Sequence, residues 1–361
     1  MLEMVQTVLV YLITGFICYL LAKKAAKKNK KKYVVFMVLI LSAVAGLRAY
    51  TVGIDTQNYV EIFKNIANGD FIHAYGVEES FKYICSVFLF ICKSPTWMFI
   101  VFACVTNGFI LARLWECREF AEFKYSFLCY YSVFFFMTMN ICRQFAAIAI
   151  VFWATRYISS RKYFKFIVIV LCVSLIHTSS LLGMLFLVFE IFNWKYLNKN
   201  QKLWMILGIL MSPAAVVVFF IGWNRYSHLI SNISGSIGIM LILKMIVYVF
   251  SLLIIKKELS ESDDAQLIKT LEYKSRSVSI YYLCGILLTS LGYFIPYADR
   301  IGLMFYMFEC VHIGKTIKLS RNRSLKVCFI CLEIAILLFY FITSIAEGSQ
   351  GISPYKFVWQ A

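Results

Sequence analysis

An all-α, polytopic bundle of membrane helices is the fold this sequence predicts, and three observations predict it. Of the 361 residues, 61% are hydrophobic and only 15% are charged, with a mean hydropathy of +0.76. A soluble domain carries about 25% charged residues, so this chain cannot clothe a water-facing exterior, and a soluble enzyme is excluded. Apolar runs of about 20 residues, the length that crosses a hydrocarbon core, recur between charged breaks throughout the chain. The third observation is where the charge sits. Thirty-six Lys and Arg against 19 Asp and Glu give +17, a balance that in a soluble chain would suggest nucleic acid. In a membrane chain the first question is which side the cations mark.

Read in order, the spans fall near 4–22, 33–49, 96–114, 125–139, 143–158, 164–176, 178–193, 203–221, 238–255, 277–295, 300–316 and 327–346. That is about 12 transmembrane helices, within the roughly 10–13 that the length can hold. The first run lacks a basic leader and a small-residue cleavage site, so it reads as a retained helix. Segment 80–93 is apolar but short, and reads as an interfacial or re-entrant helix. No repeat and no Pro-rich or Gly/Ser-rich linker divides the chain, so 1–361 is a single integral membrane domain.

Placing the lysine run 23–32 in the cytoplasm and alternating makes 113–124, 156–165, 195–202, 256–276 and 315–326 the other inner loops. These hold 27 of the 36 cations, as the positive-inside rule expects, and both termini fall outside. Counting 80–93 as a full span would invert the following loops and break the pattern. The inner loop 256–276 is a mixed-charge connector, partly helical. The extracytoplasmic loop 48–95 exceeds the about 12–15 residues of an ordinary loop. Its Ile62, Phe63, Ile66, Phe71 and Ile72, set among charges, suit a segment lying on the membrane surface.

Nine cations lie outside the inner loops: Arg48, Lys64, Lys82, Lys93, Arg143, Arg225, Lys244, Arg300 and Lys356. Four short stretches bring some of them to outer helix ends. In GLRAYTVGIDTQNY (46–59), Arg48 offers a planar fork that matches phosphate oxygens. Asp55 either serves as a base for a sugar hydroxyl or pairs with an Arg. In MNICRQFAAIA (139–149), Asn140, Arg143, Gln144 and Ala147 follow helical spacing on one face, and an Arg and an amide beside a helix N-terminus suit an anion. LIHTSSLLG (175–183) places His177 at a tight turn followed by Thr178, Ser179 and Ser180. YFIPYADRIGLMFY (293–306) sets Asp299 and Arg300 at the mouth of a span.

Three arginines, a histidine and two carboxylates make a cationic polar site in an apolar bundle, which fits a polyanionic headgroup borne on a lipid. Metal and nucleotide motifs are missing: there is no HExxH, P-loop, Rossmann fingerprint or GxSxG, and His73, His177, His228 and His312 are scattered singly. CFIC (328–331) has CxxC spacing but lies in an expected span without a second ligand pair. The 12 cysteines read mainly as small hydrophobes. No cofactor is expected. Among outer aromatics, Tyr50, Tyr59, Tyr297 and Trp359 are placed to stack on sugar rings.

On GLRAYTVGIDTQNY, NICRQFAAIAI (140–150), IHTSSL (176–181), ADRIGLMFY (298–306) and SPYKF (353–357), the chain resembles the EpsG family of bacterial polysaccharide polymerases, similar in role to Wzy-type O-antigen polymerases. In order and spacing those stretches span nearly the whole chain. The resemblance implies a multi-pass protein of the bacterial cytoplasmic membrane that joins undecaprenyl-pyrophosphate-linked oligosaccharide units at its outer face. The product would be a capsule, exopolysaccharide or O-antigen. It implies a glycosyltransferase needing no metal and no nucleotide sugar, with membrane lipids, a flippase and a chain-length regulator as partners and no role for nucleic acid.

The corresponding mechanism is attack of an acceptor hydroxyl on the anomeric carbon of the donor. Arg143, Arg48 and Arg300 would bind the pyrophosphate. His177 or Asp55 would take the proton, with His177 favoured because an imidazole needs less tuning. Gln144, Asn140, Tyr59 and Asp299 would hold sugar or phosphate oxygens. A glycan ligase, a membrane acyltransferase and a lipid-linked oligosaccharide flippase are the rival classes. The flippase fits least, because the cations cluster at one end and no repeat is visible.

Overall fold

The computed structural model describes residues 2–73, 77–223, 239–261, 265–293, 299–348 and 350–360. Among these the regular structure is helical, apart from one isolated antiparallel bridge between Arg48 and Phe357. The elements are α1 (Leu2–Lys28), α2 (Lys32–Gly46), α3 (Thr56–Ala67), α4 (Glu79–Ile91) and α5 (Pro95–Glu116). Next come α6 (Phe123–Cys129), a π turn at Tyr130–Phe134, α7 (Phe135–Asn140), α8 (Cys142–Ser159), α9 (Tyr163–Ser174) and a 3-10 segment, Thr178–Tyr196. The remainder is α10 (Lys199–Trp223), α11 (Ile239–Glu261), α12 (Ala265–Thr289), α13 (Asp299–Tyr306), α14 (Phe308–Leu319) and α15 (Arg323–Ala346).

Each apolar window read from the sequence falls on helical chain, but the helices differ in reach. Among the described residues, Glu3–Lys28, Pro95–Glu119 and Arg323–Ala346 are long and apolar enough to cross a membrane unaided. Lys32–Gly46 and Tyr163–Ser174 are apolar but shorter. The window 300–316 is two helices broken at Met307, and 125–139 is interrupted by the π turn. The expected count of about 12 spans is therefore larger than the number of long apolar helices. Loop 256–276 contains helical chain, since α11 runs into it to Glu261 and α12 begins at Ala265.

Local chemistry sets the ends of these helices. Pro95 opens α5 at a position where its missing N–H costs nothing, and the Ser94 hydroxyl caps the helix by accepting from Thr96 N. Asn322 caps α15 the same way, accepting from Ser324 N and Leu325 N. Helices α8 and α14 are buried on nearly every face and form the centre. α1 and α15 instead expose Leu9, Leu12, Ile13, Phe16, Val327, Leu338, Phe339 and Ile342, and both are long and apolar enough to cross a membrane. The protein is a membrane protein.

One buried charge inside the bundle is matched by an opposite one. Lys244 on α11 forms an ion pair with Glu309 on α14 and lies against the rings of Tyr306 and Tyr340. Tyr282 of α12 donates to the same carboxylate at 3.1 Å. Lys244 is thus enclosed within the bundle, whereas Lys356 pairs with Glu3 at 2.8 Å and Lys82 with Glu79 at 2.7 Å. Arg225 lies outside the described residues. The cysteines are free thiols, and Cys328 and Cys331 are exposed on α15.

Within 48–95, Thr56–Ala67 and Glu79–Ile91 are helical, and α3 packs differently from a surface-lying strip. Ile62, Phe63 and Ile66 of α3 are buried in a second hydrophobic cluster with Phe81, Cys85, Met98, Phe99 and Phe102, while Phe71 and Ile72 are exposed. Beneath it, residues 47–54 are stitched to the C-terminal segment: Ala49 N donates to Lys356 O (2.8 Å), Val358 N to Leu47 O (2.9 Å) and Gly53 N to Gly351 O (2.7 Å). Tyr11 OH donates to Ile352 O and Tyr355 OH to Val44 O, each at 2.9 Å. Arg48 fills the middle of this seam. It is 1% exposed and donates to the carbonyls of Ala45, Val52 (3.1 Å) and Met139 (2.6 Å) and to Thr56 Oγ1 (3.2 Å), with its plane 4.6 Å from the Phe99 ring centroid.

Two stability predictions follow from the seam. Arg48→Ala takes the guanidinium from the buried carbonyls of Ala45 and Met139, while Val52 O keeps its bond from Thr56 Oγ1, and should cost about 3 kcal/mol; Arg48→Lys should recover little of it because an ammonium lacks the fork. Gly53 sits at φ +93°, and an added Cβ would lie 2.6 Å from Thr56 Oγ1 and 2.8 Å from Met139 O, so Gly53→Ala should cost about 1–3 kcal/mol. Thermal unfolding of detergent-solubilised protein reads both, and wild-type melting of either variant would remove that residue from the architecture.

Candidate functional site

Glu78, immediately before α4, organises a charged cluster at one end of the bundle. Its backbone is extended (φ −67°, ψ 146°) and its carbonyl accepts from Phe81 N, which starts the helix. α4 turns Phe81, Lys82 and Cys85 inward, and this leaves the Glu78 side chain aimed at α8 and at the break after α9. There Oε1 accepts from His177 Nδ1 (3.1 Å), Thr178 N (2.9 Å) and Thr178 Oγ1 (2.9 Å), while Oε2 pairs with Arg143 Nη1. Both carboxylate oxygens are therefore engaged by donors.

His177 reaches this place because the chain stops being α-helical just before it. The N–H groups of Leu175, Ile176 and His177 close short bonds to Cys172 and Val173, and the 3-10 segment begins at Thr178. Arg143 stands in the first turn of α8, its guanidinium 4.8 Å from the Phe81 ring centroid and its side chain 8% exposed. Its Nε is buried with no hydrogen-bond partner. A buried charged donor left unpaired is costly, so this guanidinium keeps capacity for a further acceptor oxygen.

Asp55 stands at the N-terminal boundary of α3, and its N–H donates to Asn140 Oδ1 at 2.8 Å. Burial raises the Asp55 carboxyl pKa, and the positive charges of Arg300 and Arg143 pull it back. Arg300, in the first turn of α13, has its carbonyl 3.5 Å from Gln144 Nε2. α13 is held tight against α12 at Gly302, where a Cβ would collide with Thr289 N. Asp299 beside it lines a cavity of about 310 Å³ that runs down past Thr289, Leu303, Tyr306 and Tyr340 to Lys244.

The electrostatics assign protonation states. Burial alone would raise the Glu78 pKa, but the hydrogen bond from His177 and the charge of Arg143 bring it well below the ordinary carboxylate range. Burial pushes His177 below its usual 6.5, the Glu78 hydrogen bond opposes that, and Arg143 and Arg300 lower it further. At neutral pH the imidazole is therefore neutral and Arg143 is the counter-ion of Glu78. An ionised carboxylate only accepts, so His177 Nδ1 carries the ring proton and Nε2 presents a lone pair. A histidine oriented this way by a carboxylate is equipped to act as a base.

Of the residues singled out from the sequence, the structure gathers Asp55, Arg143, His177 and Arg300 here, with Gln144 adjoining. Arg48 is not among them: it lies beneath the site with its donors held by carbonyls and Thr56. Nor does Arg48 bridge Asp55. Asn140 does not share a helical face with Arg143, because Ile141 (φ −90°, ψ 53°) separates α7 from α8. Both ends of its amide are engaged, Oδ1 by Asp55 N and Nδ2 by Gln350 Oε1 at 2.9 Å. Tyr59 is 8% exposed and packs edge-on to Phe81, and Tyr50 OH pairs with Thr96 Oγ1. Trp359 is exposed and stacks on Phe357. Tyr297 and His228 lie outside the described residues.

Glu78 is the functional candidate the sequence did not disclose. Its one signal was an acidic residue directly before an amphipathic helix, in a chain with only 19 acids. No group of three or more metal-ligating side chains occurs among the described residues. No curated protein and no solved structure matches the chain. A family model does match, over residues 31–357, and the chain belongs to the EpsG family.

Proposed function

We propose that the protein is a polymerase joining oligosaccharide repeat units carried on undecaprenyl pyrophosphate, by metal-independent glycosyl transfer at the outer face of the bacterial cytoplasmic membrane. Membership of the EpsG family supports polysaccharide polymerisation as the general activity. The single observation that carries the finer reading is the convergence of Arg143, Arg300, Asp55 and His177 around Glu78. It unites an oriented neutral base with two cations, one of which has a buried donor unpaired. The chain would cross the membrane about 12 times, with the site end outward.

In this reading the acceptor hydroxyl oxygen attacks the anomeric carbon as its proton passes to His177 Nε2. The bond from that carbon to the pyrophosphate oxygen breaks, and the electron pair leaves with the lipid pyrophosphate. Arg143 and Arg300 stabilise the charge that develops on the departing oxygens. Glu78 holds the His177 tautomer and keeps Arg143 in place. Asp55 faces the same cations and accepts from the acceptor sugar, while Gln144 orients α13 through the Arg300 carbonyl. Arg48 supports the site from below and takes no part in the clamp.

Arg143→Ala should reduce polymer formation about 100-fold or more with the protein still in the membrane, and single repeat units should accumulate on the lipid carrier. Normal polymer length in that variant would sink the clamp. Long unattached chains in the deletion strain would favour a ligase, polymer lacking acyl groups an acyltransferase, and units held on the cytoplasmic leaflet a flippase.

The base makes its own prediction about pH. Neutral imidazole is the active form and its pKa lies below 6.5, so the rate should hold through neutrality and fall on an acid limb centred below 6.5. Folding stability falls in the same direction, because below 6.5 the unfolded chain binds the proton more readily. Glu78→Gln removes the group that raises the His177 pKa and leaves the two arginines. That limb should move further toward acid while the rate drops about 100-fold or more. An acid limb unmoved in Glu78→Gln would separate Glu78 from the base.

A further inference from the structure

Asp55 is held by residues from two distant parts of the chain, and the second of them is in the C-terminal segment. Its N–H donates to Asn140 Oδ1 at 2.8 Å, and Asn140 Nδ2 donates onward to Gln350 Oε1 at 2.9 Å. Gln350 is itself anchored beside Asp55, its carbonyl accepting from Ile54 N at 3.3 Å. The next residue locks the register: Gly351 has φ +66°, its carbonyl accepts from Gly53 N at 2.7 Å, and an added Cβ would lie 2.8 Å from Ile54 N.

The middle link needs both of its neighbours. An asparagine amide has one accepting end and one donating end. If the amide turned over, its NH2 would face the Asp55 N–H, donor against donor, and the start of α3 would lose its anchor. Gln350 Oε1 is the acceptor that holds the amide the right way round. Ile141 breaks the helix directly after Asn140, so backbone regularity does not fix this side chain in its place.

We propose that Gln350 is a positioning residue of the site: its amide oxygen orients Asn140, and Asn140 in turn sets Asp55 and the first turn of α3 opposite Arg143 and Arg300. The functional half of this rests on the glycosyl-transfer reading, and the ordering half rests on geometry alone.

Gln350→Ala, Gln350→Glu, Asn140→Ala and the Gln350→Ala/Asn140→Ala double variant of the full-length protein test it with two readouts. In detergent, hydrogen–deuterium exchange of the peptide covering 53–59 should quicken about tenfold in either alanine variant. It should stay near wild type in Gln350→Glu, whose carboxylate still accepts. In cells, polymer output per membrane-inserted protein should fall about tenfold in each alanine variant and no further in the double variant, because the two side chains act as one chain of contacts. Unchanged exchange in Gln350→Ala, losses that multiply in the double variant, or quickened exchange with normal polymer would each overturn the proposal. A wild-type chain that makes no polymer would instead refute the proposed function, and the exchange measurement would then decide the ordering of Asp55 without it.

Discussion

A carboxylate removed from water must find donors, and Glu78 finds them on two separate elements at once. Arg143 comes from the first turn of α8, and His177 and Thr178 come from the break between α9 and the 3-10 segment. Removing one partner of a fully buried pair strands the other at about 3–5 kcal/mol, and this pair, with Glu78 only part-buried, lies below that. This requirement draws the 48–95 region down onto the bundle. The apolar cluster of Tyr59, Phe63, Phe81, Phe99 and Phe102 supplies non-directional burial. Glu78 supplies the direction, fixing which side of α4 faces α8. It also sets the tautomer of His177 and the position of Arg143, so both the arrangement of the segment and the chemistry of the site depend on it.

Arg48 and Arg143 show why the environment of a buried arginine, and not its residue type, decides its role. Arg48 is ringed by carbonyl dipoles and one hydroxyl, which satisfy the guanidinium and tie 45–56 to Met139. Arg143 has one carboxylate and one aromatic face, and its Nε remains unpaired. A guanidinium whose donors are all engaged is architecture, and one with a buried donor in reserve can take an anion. Lys244 belongs with Arg48, since Glu309 and two tyrosine rings surround its ammonium.

The helical fold and its apolar windows were legible because hydrophobic burial writes itself into composition and periodicity. Arg143, His177, Asp55 and Arg300 were legible as candidates because polar residues at the ends of apolar runs are conspicuous. The role of Arg48 was not, since a fork suited to phosphate is equally suited to carbonyls, and only the surrounding backbone decides between them. Asn140 was misplaced because helical spacing was carried across Ile141, whose conformation breaks the helix without a Pro or Gly to announce it. Glu78 escaped notice because its meaning is relational. It matters through residues 65 and 99 positions away, and no local pattern encodes that separation. The same holds for Gln350, which lies 210 positions from Asn140.

The two ends of the bundle carry different chemistry, and this difference gives the site a setting. One end ties basic connectors to neighbouring chain: Arg118 Nε donates to Asn29 Oδ1 at 3.1 Å, Lys318 Nζ to Arg118 O at 2.5 Å, and Arg156 pairs with Glu116 at 2.5 Å. The other end holds the Glu78 cluster and the C-terminal seam. α4 presents Tyr83, Val87, Phe90 and Ile91 outward at helical spacing, and Trp97 of α5 continues that exposed apolar surface. The helix that begins at Glu78 therefore also carries an exposed apolar face. A substrate with a hydrocarbon tail and an anionic head would meet an apolar surface for its tail along α4 and α5, and cations for its head at Arg143 and Arg300. On the proposed function, the amphipathic partition of such a molecule corresponds to the partition of the protein around Glu78, with the exposed apolar face of α4 on one side and Arg143 on the other.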